Sequence, residues 1–278
     1  VSDDLSAIHY NPAGLAKLSK QEAAFLYYPL YEYSSYGSAA YGQPLLGIGT
    51  FGAAFSRFNS GSIQGYDESG GETQVFGAEQ YRLDVAYGRM ILENLFAGLN
   101  VNVQYSNMNR FNYAGFGADL GVMYEPFPFL SAGLMARNLI TPAFSMQSVT
   151  ETMPRLYALG IAAKYRAGDL DLMAACDVSM GEKEGFKYRT GVEVKWAGIA
   201  GVRAGYYGGE FTLGAGLAMY DARIDYAYVS NAEFGRMDRF TVSYAFGMTL
   251  EEQRLQRRRE IYKEVRKIVD ERIKVKIK

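Results

Sequence analysis

The chain has 278 residues, about half of them apolar, which suffices for two ordinary domains or one large β domain. It holds 31 Gly and 23 Tyr beside 7 Pro and one Trp, a balance of closely packed strands rather than helices. Its formal net charge of −1 conceals a division: residues 251–278 carry 11 basic and 6 acidic residues, and the remainder 18 and 24.

No apolar run reaches the ~18 residues of a membrane helix, which excludes a helical membrane protein. A β-span needs only about 9 to 11 alternating residues and stays open. The single Cys176 permits no internal disulfide.

The first element, "SAIHYNPAGLAKLSK" at 6–20, predicts a turn into a short helix, with Asn11 as N-cap, Pro12 at the first helical position, and Leu15 and Leu18 on one side. Period-two alternation follows for most of the chain. In 95–105 one parity carries Leu95, Ala97, Leu99, Val101, Val103 and Tyr105, and the other Phe96, Gly98, Asn100, Asn102 and Gln104. Such runs predict fourteen strands: 21–32, 35–43, 46–58, 80–90, 95–106, 112–124, 129–138, 154–166, 169–179, 186–196, 199–207, 210–220, 222–230 and 238–247. Most are longer than the ~5 to 6 residues of globular strands and suit a tilted membrane crossing.

Every second connection is short, including "LEN", "EPFP", "AGD" and "YD", whereas 59–79, 139–153, 180–185 and 231–237 include longer polar stretches. A soluble sandwich, barrel or propeller would also alternate, with its second face polar and wet. Here that face is largely Gly, Ala, Ser and Asn, and aromatics such as Tyr81, Tyr87, Tyr124 and Trp196 sit on the apolar face near strand ends, as in interfacial girdles. The expected fold is an all-β, 14-stranded antiparallel transmembrane β-barrel, with a plug at 1–20, the barrel at 21–248 and a charged periplasmic α-helix at 249–278. The even strand count places both termini in the periplasm of a bacterial outer membrane.

The other parity supplies the lumen with nine basic and six acidic residues: Arg82, Asp84, Asp119, Arg137, Lys164, Asp171, Asp177, Lys187, Arg189, Glu193, Lys195, Arg203, Arg223, Asp225 and Arg239. Charge in a confined lumen must pair or stay hydrated, so a network bracing the wall is expected ahead of a selectivity filter. Inward glycines leave room for the N-terminal segment. In "LLGIGTFGAAFSRF", Ile48 has the opposite parity to Phe51 and Phe55, which predicts a bulge at Gly49 or Thr50.

Several motifs carry no chemistry. "GIGTFG" matches a dinucleotide fingerprint but runs on into strand rather than helix. His9 is the only histidine, so a Ser-His hydrolase would draw its base from the plug. Cys176 falls on the lipid parity, and no metal spacing emerges. No enzyme and no cofactor are expected.

From Leu250 a helix is expected, with Leu255, Tyr262, Val265 and Val269 on one stripe and Ile261 and Ile268 beside it. "RIKVKIK" at 272–278 returns to period two and reads as the start of a further element. The stripe suits docking to a periplasmic or secretion-machinery protein, while outer-membrane lipids surround the barrel and nucleic acid is not an expected partner.

The box Asn11-Pro12-Ala13-Gly14-Leu15 resembles the Asn-Pro-Ala box in the plug of the FadL-type outer-membrane transporters, whose fourteen strands agree with the number read from periodicity. The wider layout, "NPAGLA", "EPFP" followed by "SAGLMARNL", and the closing "DRFTVSYAFG", is similar to the PorV/PorQ branch of that superfamily. The resemblance implies either passage of hydrophobic compounds past the plug and out at a kinked third strand, or service in protein secretion. A purely structural anchor for a periplasmic domain is the third reading.

Overall fold

A computed structural model describes all residues except 1–2, 31–32, 109–110, 142, 147–148, 184, 232–234 and 277–278. A short α1 (Ala7–Tyr10) and a 3-10 turn (Pro12–Lys17) precede the strands. The first seven strands are β1 (Gln21–Pro29), β2 (Ser35–Leu45), β3 (Gly49–Asn59), β4 (Ala78–Leu92), β5 (Leu95–Met108), β6 (Phe111–Phe127) and β7 (Leu130–Ile140). A small hairpin follows, β8 (Ala143–Met146) with β9 (Val149–Thr152). The remaining strands are β10 (Leu156–Ala167), β11 (Leu170–Gly181), β12 (Gly185–Trp196), β13 (Ala200–Tyr207), β14 (Glu210–Met219), β15 (Ala222–Asn231) and β16 (Gly235–Phe246). Helix α2 (Leu250–Lys276) ends the described chain.

Fourteen strands close into one antiparallel barrel, each beside its sequence neighbour, with β7 joined to β10 and β16 to β1. Closure leaves no free edge to be solvated, the condition for strands in hydrocarbon. Leu83, Val85, Leu99, Val103, Leu134, Val202, Leu213 and Ile224 all stand exposed on the outer face. Outward rings pair between neighbouring strands, as Phe51 with Tyr87 at 5.0 Å and Tyr81 with Tyr105 at 6.2 Å between centroids. Cys176 is exposed on the same outer parity. No helix among the described residues is long and apolar enough to cross a membrane.

Three expectations are corrected. The stretch 139–153 is not plain loop but holds the hairpin of β8 and β9. The wall is regular at Gly49 and Thr50: β3 pairs with β2 from Leu45↔Gly49 onward and with β4 from Thr50↔Gly88, without a shift. Ile48 has the wrong parity because it lies in the turn, its N–H bonded to the Leu45 carbonyl at 3.1 Å, and Gly49 (φ +134°) opens the strand. Finally, residues 272–276 stay helical, continuing α2 where no strand edge is available to pair with, and 277–278 lie outside the described residues.

Helix α2 starts at the short-turn end of the barrel. Thr249 and Glu252 form a capping box: the Thr249 hydroxyl accepts from the Glu252 N–H at 3.1 Å, and the Glu252 carboxylate from the Thr249 N–H at 2.7 Å. These bonds hold the Glu252 carboxyl below its usual pKa. The Leu250 N–H donates to the Ser19 carbonyl at 2.9 Å, which ties the helix to the residues just before β1.

Candidate functional site: a plugged and layered lumen

The N-terminal segment folds into the barrel against β3–β6, giving the lumen two unequal halves. Leu5, Ile8, Leu15 and Leu18 are buried against Ala54 and Ala86, and Ala13 against Phe96 and Met123. Small inward residues make this fit. A Cβ at Gly88 would stand 2.6 Å from the Pro12 carbonyl oxygen, and one at Gly98 would collide with the Pro12–Ala13 peptide itself. The inward glycines of the sequence are thus the floor of the plug site.

Asn11 fastens the plug. Its side-chain oxygen accepts from the Ala13 N–H at 3.1 Å, as an N-cap does, while its amide nitrogen donates to two wall carbonyls, Val122 at 3.1 Å and Leu134 at 3.3 Å. Pro12, Ala13 and Gly14 are buried behind it, and Lys17 pairs with Glu125 near the short-turn end.

Above the plug lies a polar layer. The Arg82 Nε donates to both oxygens of Asp84 at 2.9 and 3.0 Å, and its Nη2 lies 3.4 Å from Asp119. The Asn100 amide bridges the same two carboxylates, at 2.8 Å to Asp84 and 3.0 Å to Asp119. Both carboxylates have fully buried side chains, so these bonds replace the hydration they lose. His9 presents Nδ1 to Asp84 at 3.7 Å, and the His9 carbonyl accepts from Arg137. Burial holds the imidazole below its ordinary pKa; Asp84 opposes this shift, and the Arg82 and Arg137 charges reinforce it.

A wall irregularity sits here, in the seventh strand rather than the third, besides register shifts at the short-turn end between Met90 and Leu92 and between Tyr124 and Phe127. Between Ala118↔Ile140 and Leu120↔Ala136, β6 advances two residues while β7 advances four. Asn138 takes a left-handed conformation (φ +55°), its N–H captured by Asp119 Oδ1 at 2.7 Å and its side-chain amide by the Pro154 carbonyl at 3.0 Å. Asn138 carries no motif in the sequence, Asn100 stands there only as one inward polar residue, and His9 only as a lone base. A polar residue on the lipid parity of "LMARNLI" was the available sign of the bulge.

Above the polar layer, toward the long loops, a cavity of about 140 Å³ is lined by Tyr36, Phe58, Tyr113 and Met153, with Arg82, Gln80, Gln104 and Ser106 at its polar side. Across the lumen, β10–β15 enclose a different space of about 890 Å³ with charged walls. There Arg203 pairs with Asp225 and reaches Glu193 at 3.7 Å, Arg223 pairs with Asp225 at 2.8 Å, and Lys195 with Glu193 at 3.1 Å. Eight of the fifteen predicted lumen charges thus gather in two groups, Arg82, Asp84, Asp119 and Arg137 around the plug and Glu193, Arg203, Arg223 and Asp225 opposite it, with Lys195 joined to the second; Lys164 pairs instead with Asp3 and Asp171 with Arg166. Arg189 belongs to neither and stacks on Tyr207 at 4.5 Å. Leu255, Tyr262, Val265 and Val269 lie exposed on α2, outside the barrel. No group of three or more potential metal ligands occurs among the described residues.

Three solved structures share this architecture. The toluene transporter TodX of Pseudomonas putida aligns at 12% identity with a TM-score of 0.60, covering 86% of this chain and 91% of that one. The toluene transporter TbuX of Ralstonia pickettii aligns at 12% and 0.63, covering 88% and 94%. A FadL homologue of Pseudomonas aeruginosa aligns at 12% and 0.62, covering 89% and 95%. At such identities the likeness establishes the fold. No curated protein matches the sequence. A family model described as "F plasmid transfer operon, TraF, protein" matches residues 61–219, more than half of the chain. By that match the chain belongs to the TraF family of the F plasmid transfer operon, here with the barrel architecture of FadL-type transporters.

Proposed function

We propose that this chain is a non-enzymatic channel for small hydrophobic molecules in a bacterial outer membrane, with both termini on the periplasmic side. The observation that carries the reading is the aromatic cavity of about 140 Å³ between the long loops and the plugged polar layer. A cavity of roughly 150 Å³ accepts a benzene-sized ring, so a single-ring hydrocarbon matches its volume. Tyr36, Phe58, Tyr113 and Met153 offer the apolar contacts, and Arg82 with the two glutamines a polar margin. The fold likeness to two transporters whose names specify toluene supports the same ligand class.

The test is uptake of radiolabelled toluene by cells producing the full chain, compared with Ser106→Trp, which projects an indole into the cavity. Uptake above the empty-vector level, returned to that level by S106W at equal folded protein, supports the reading. Equal uptake with and without the protein contradicts it.

A secretion role of the PorV/PorQ kind is the second reading. Helix α2 favours it, since Leu255, Tyr262, Val265 and Val269 present an apolar stripe to solvent on a helix held at the barrel rim. It requires a periplasmic protein partner, which native pull-down would recover with the full chain and lose when residues 250–278 are removed.

A further inference from the structure

The half of the lumen beside the plug, into which the segment's first residues Asp3, Asp4 and Ser6 reach, is built differently from the aromatic cavity. Its space of about 890 Å³ reaches the short-turn rim at Pro128, Phe129 and Arg166. Farther in it meets a second space of about 300 Å³ beside the plug residues Tyr10 and Asn11. The two spaces share Ser6, Asp177 and Arg189 as lining. At the opposite mouth, among the described residues, β13 and β14 of this half are joined by the two residues 208–209, whereas 60–77 and the β8–β9 hairpin belong to the half above the plug.

Strand register places Gly160, Asp177, Arg189 and Tyr207 side by side at one level of the wall. The Asp177 carboxylate leans over Gly160, into the place a Cβ would fill, and the Arg189 guanidinium turns the other way onto Tyr207 at 4.5 Å. Among the described residues neither joins an ion pair, while Lys195, Arg203 and Arg223 on the same wall are all paired. Two unpaired charges of opposite sign in a space this large are hydrated, because dry burial would be prohibitive.

We propose that the barrel holds a second, polar path beside the plug, conducting small hydrated ions, with Asp177 and Arg189 as its constriction. This path is separate from the aromatic cavity and does not depend on what that cavity binds. Opposed charges on adjacent strands make the constriction nearly neutral to sign, so removing one of them exposes the field of the other.

The test is conductance of the purified full chain in a planar bilayer under a KCl gradient. Wild type is expected to give steady conductance with weak selectivity. The reversal potential should shift toward cations in Arg189→Glu and toward anions in Asp177→Lys. The neutral substitutions Arg189→Gln and Asp177→Asn should show the same shifts at smaller size, and serve if the charge reversals do not fold. A wild-type protein that inserts without conductance above the bare bilayer overturns the proposal. So does a conductance whose selectivity is the same in all folded variants.

Discussion

Asn11→Asp separates two roles that one side chain performs. The substitution keeps the oxygen that accepts from the Ala13 N–H at 3.1 Å, and Asp caps about as well as Asn. It deletes the donor that reaches Val122 at 3.1 Å and Leu134 at 3.3 Å, and turns an acceptor toward two acceptors. Two lost hydrogen bonds are worth about 0.5–1.5 kcal/mol each. Asn11 is only half-buried, so water relieves part of the added repulsion, and the total against plug docking is about 2–3 kcal/mol. At about 1.4 kcal/mol per tenfold, amide-exchange protection across residues 7–18 should fall about 30- to 150-fold in detergent micelles. Strands β13 and β14, which lie across the lumen from the plug's packing on β3–β6, should keep theirs. Wild-type protection in N11D would show that Asn11 is only a cap and would refute the fastening role.

Three further outcomes follow from the same geometry. Gly98→Val should leave the heat-modifiable barrel intact while exposing residues 5–18 to protease, since the new side chain meets plug backbone; a protected plug would contradict the fit. Arg82→Ala strands two fully buried carboxylates around Asn100 and should destabilise by about 3–5 kcal/mol, read as a lower thermal midpoint, and an unchanged midpoint would count against the network. His9 has its pKa lowered from 6.5 on folding, so below that value the unfolded chain binds the extra proton; the contribution is complete above pH 6.5 and is lost as pH falls through the folded pKa. His9→Asn should flatten this acid limb of the thermal midpoint, and an unaltered limb would assign it to other groups.

Much of the barrel was legible because a lipid-facing wall imposes one rule on every strand. Predicted 186–196 and 210–220 became Gly185–Trp196 and Glu210–Met219, since an apolar parity either faces hydrocarbon or does not. The plug was legible in outline: Asn11 before Pro12 signals a cap, and inward glycines signal room. What holds it was not, because contacts such as Asn11 to Leu134 span 123 residues and leave no local periodicity. The β7 bulge escaped for a related reason, since Asp119 satisfies it from the neighbouring strand while Ile48, a turn residue, imitated a bulge in β3. The division of the lumen into an aromatic cavity and a charged half also depends on where the plug lies. Alternation tells which residues face inward and is silent about which of them the plug covers.

An apolar ring held inside the barrel above the polar layer would be seen in diffraction from crystals of the full chain soaked in bromobenzene. Anomalous bromine density among Tyr36, Phe58, Tyr113 and Met153 is the predicted result. Bromine density confined to the outer, detergent-covered face, with that cavity unlabelled, would contradict it.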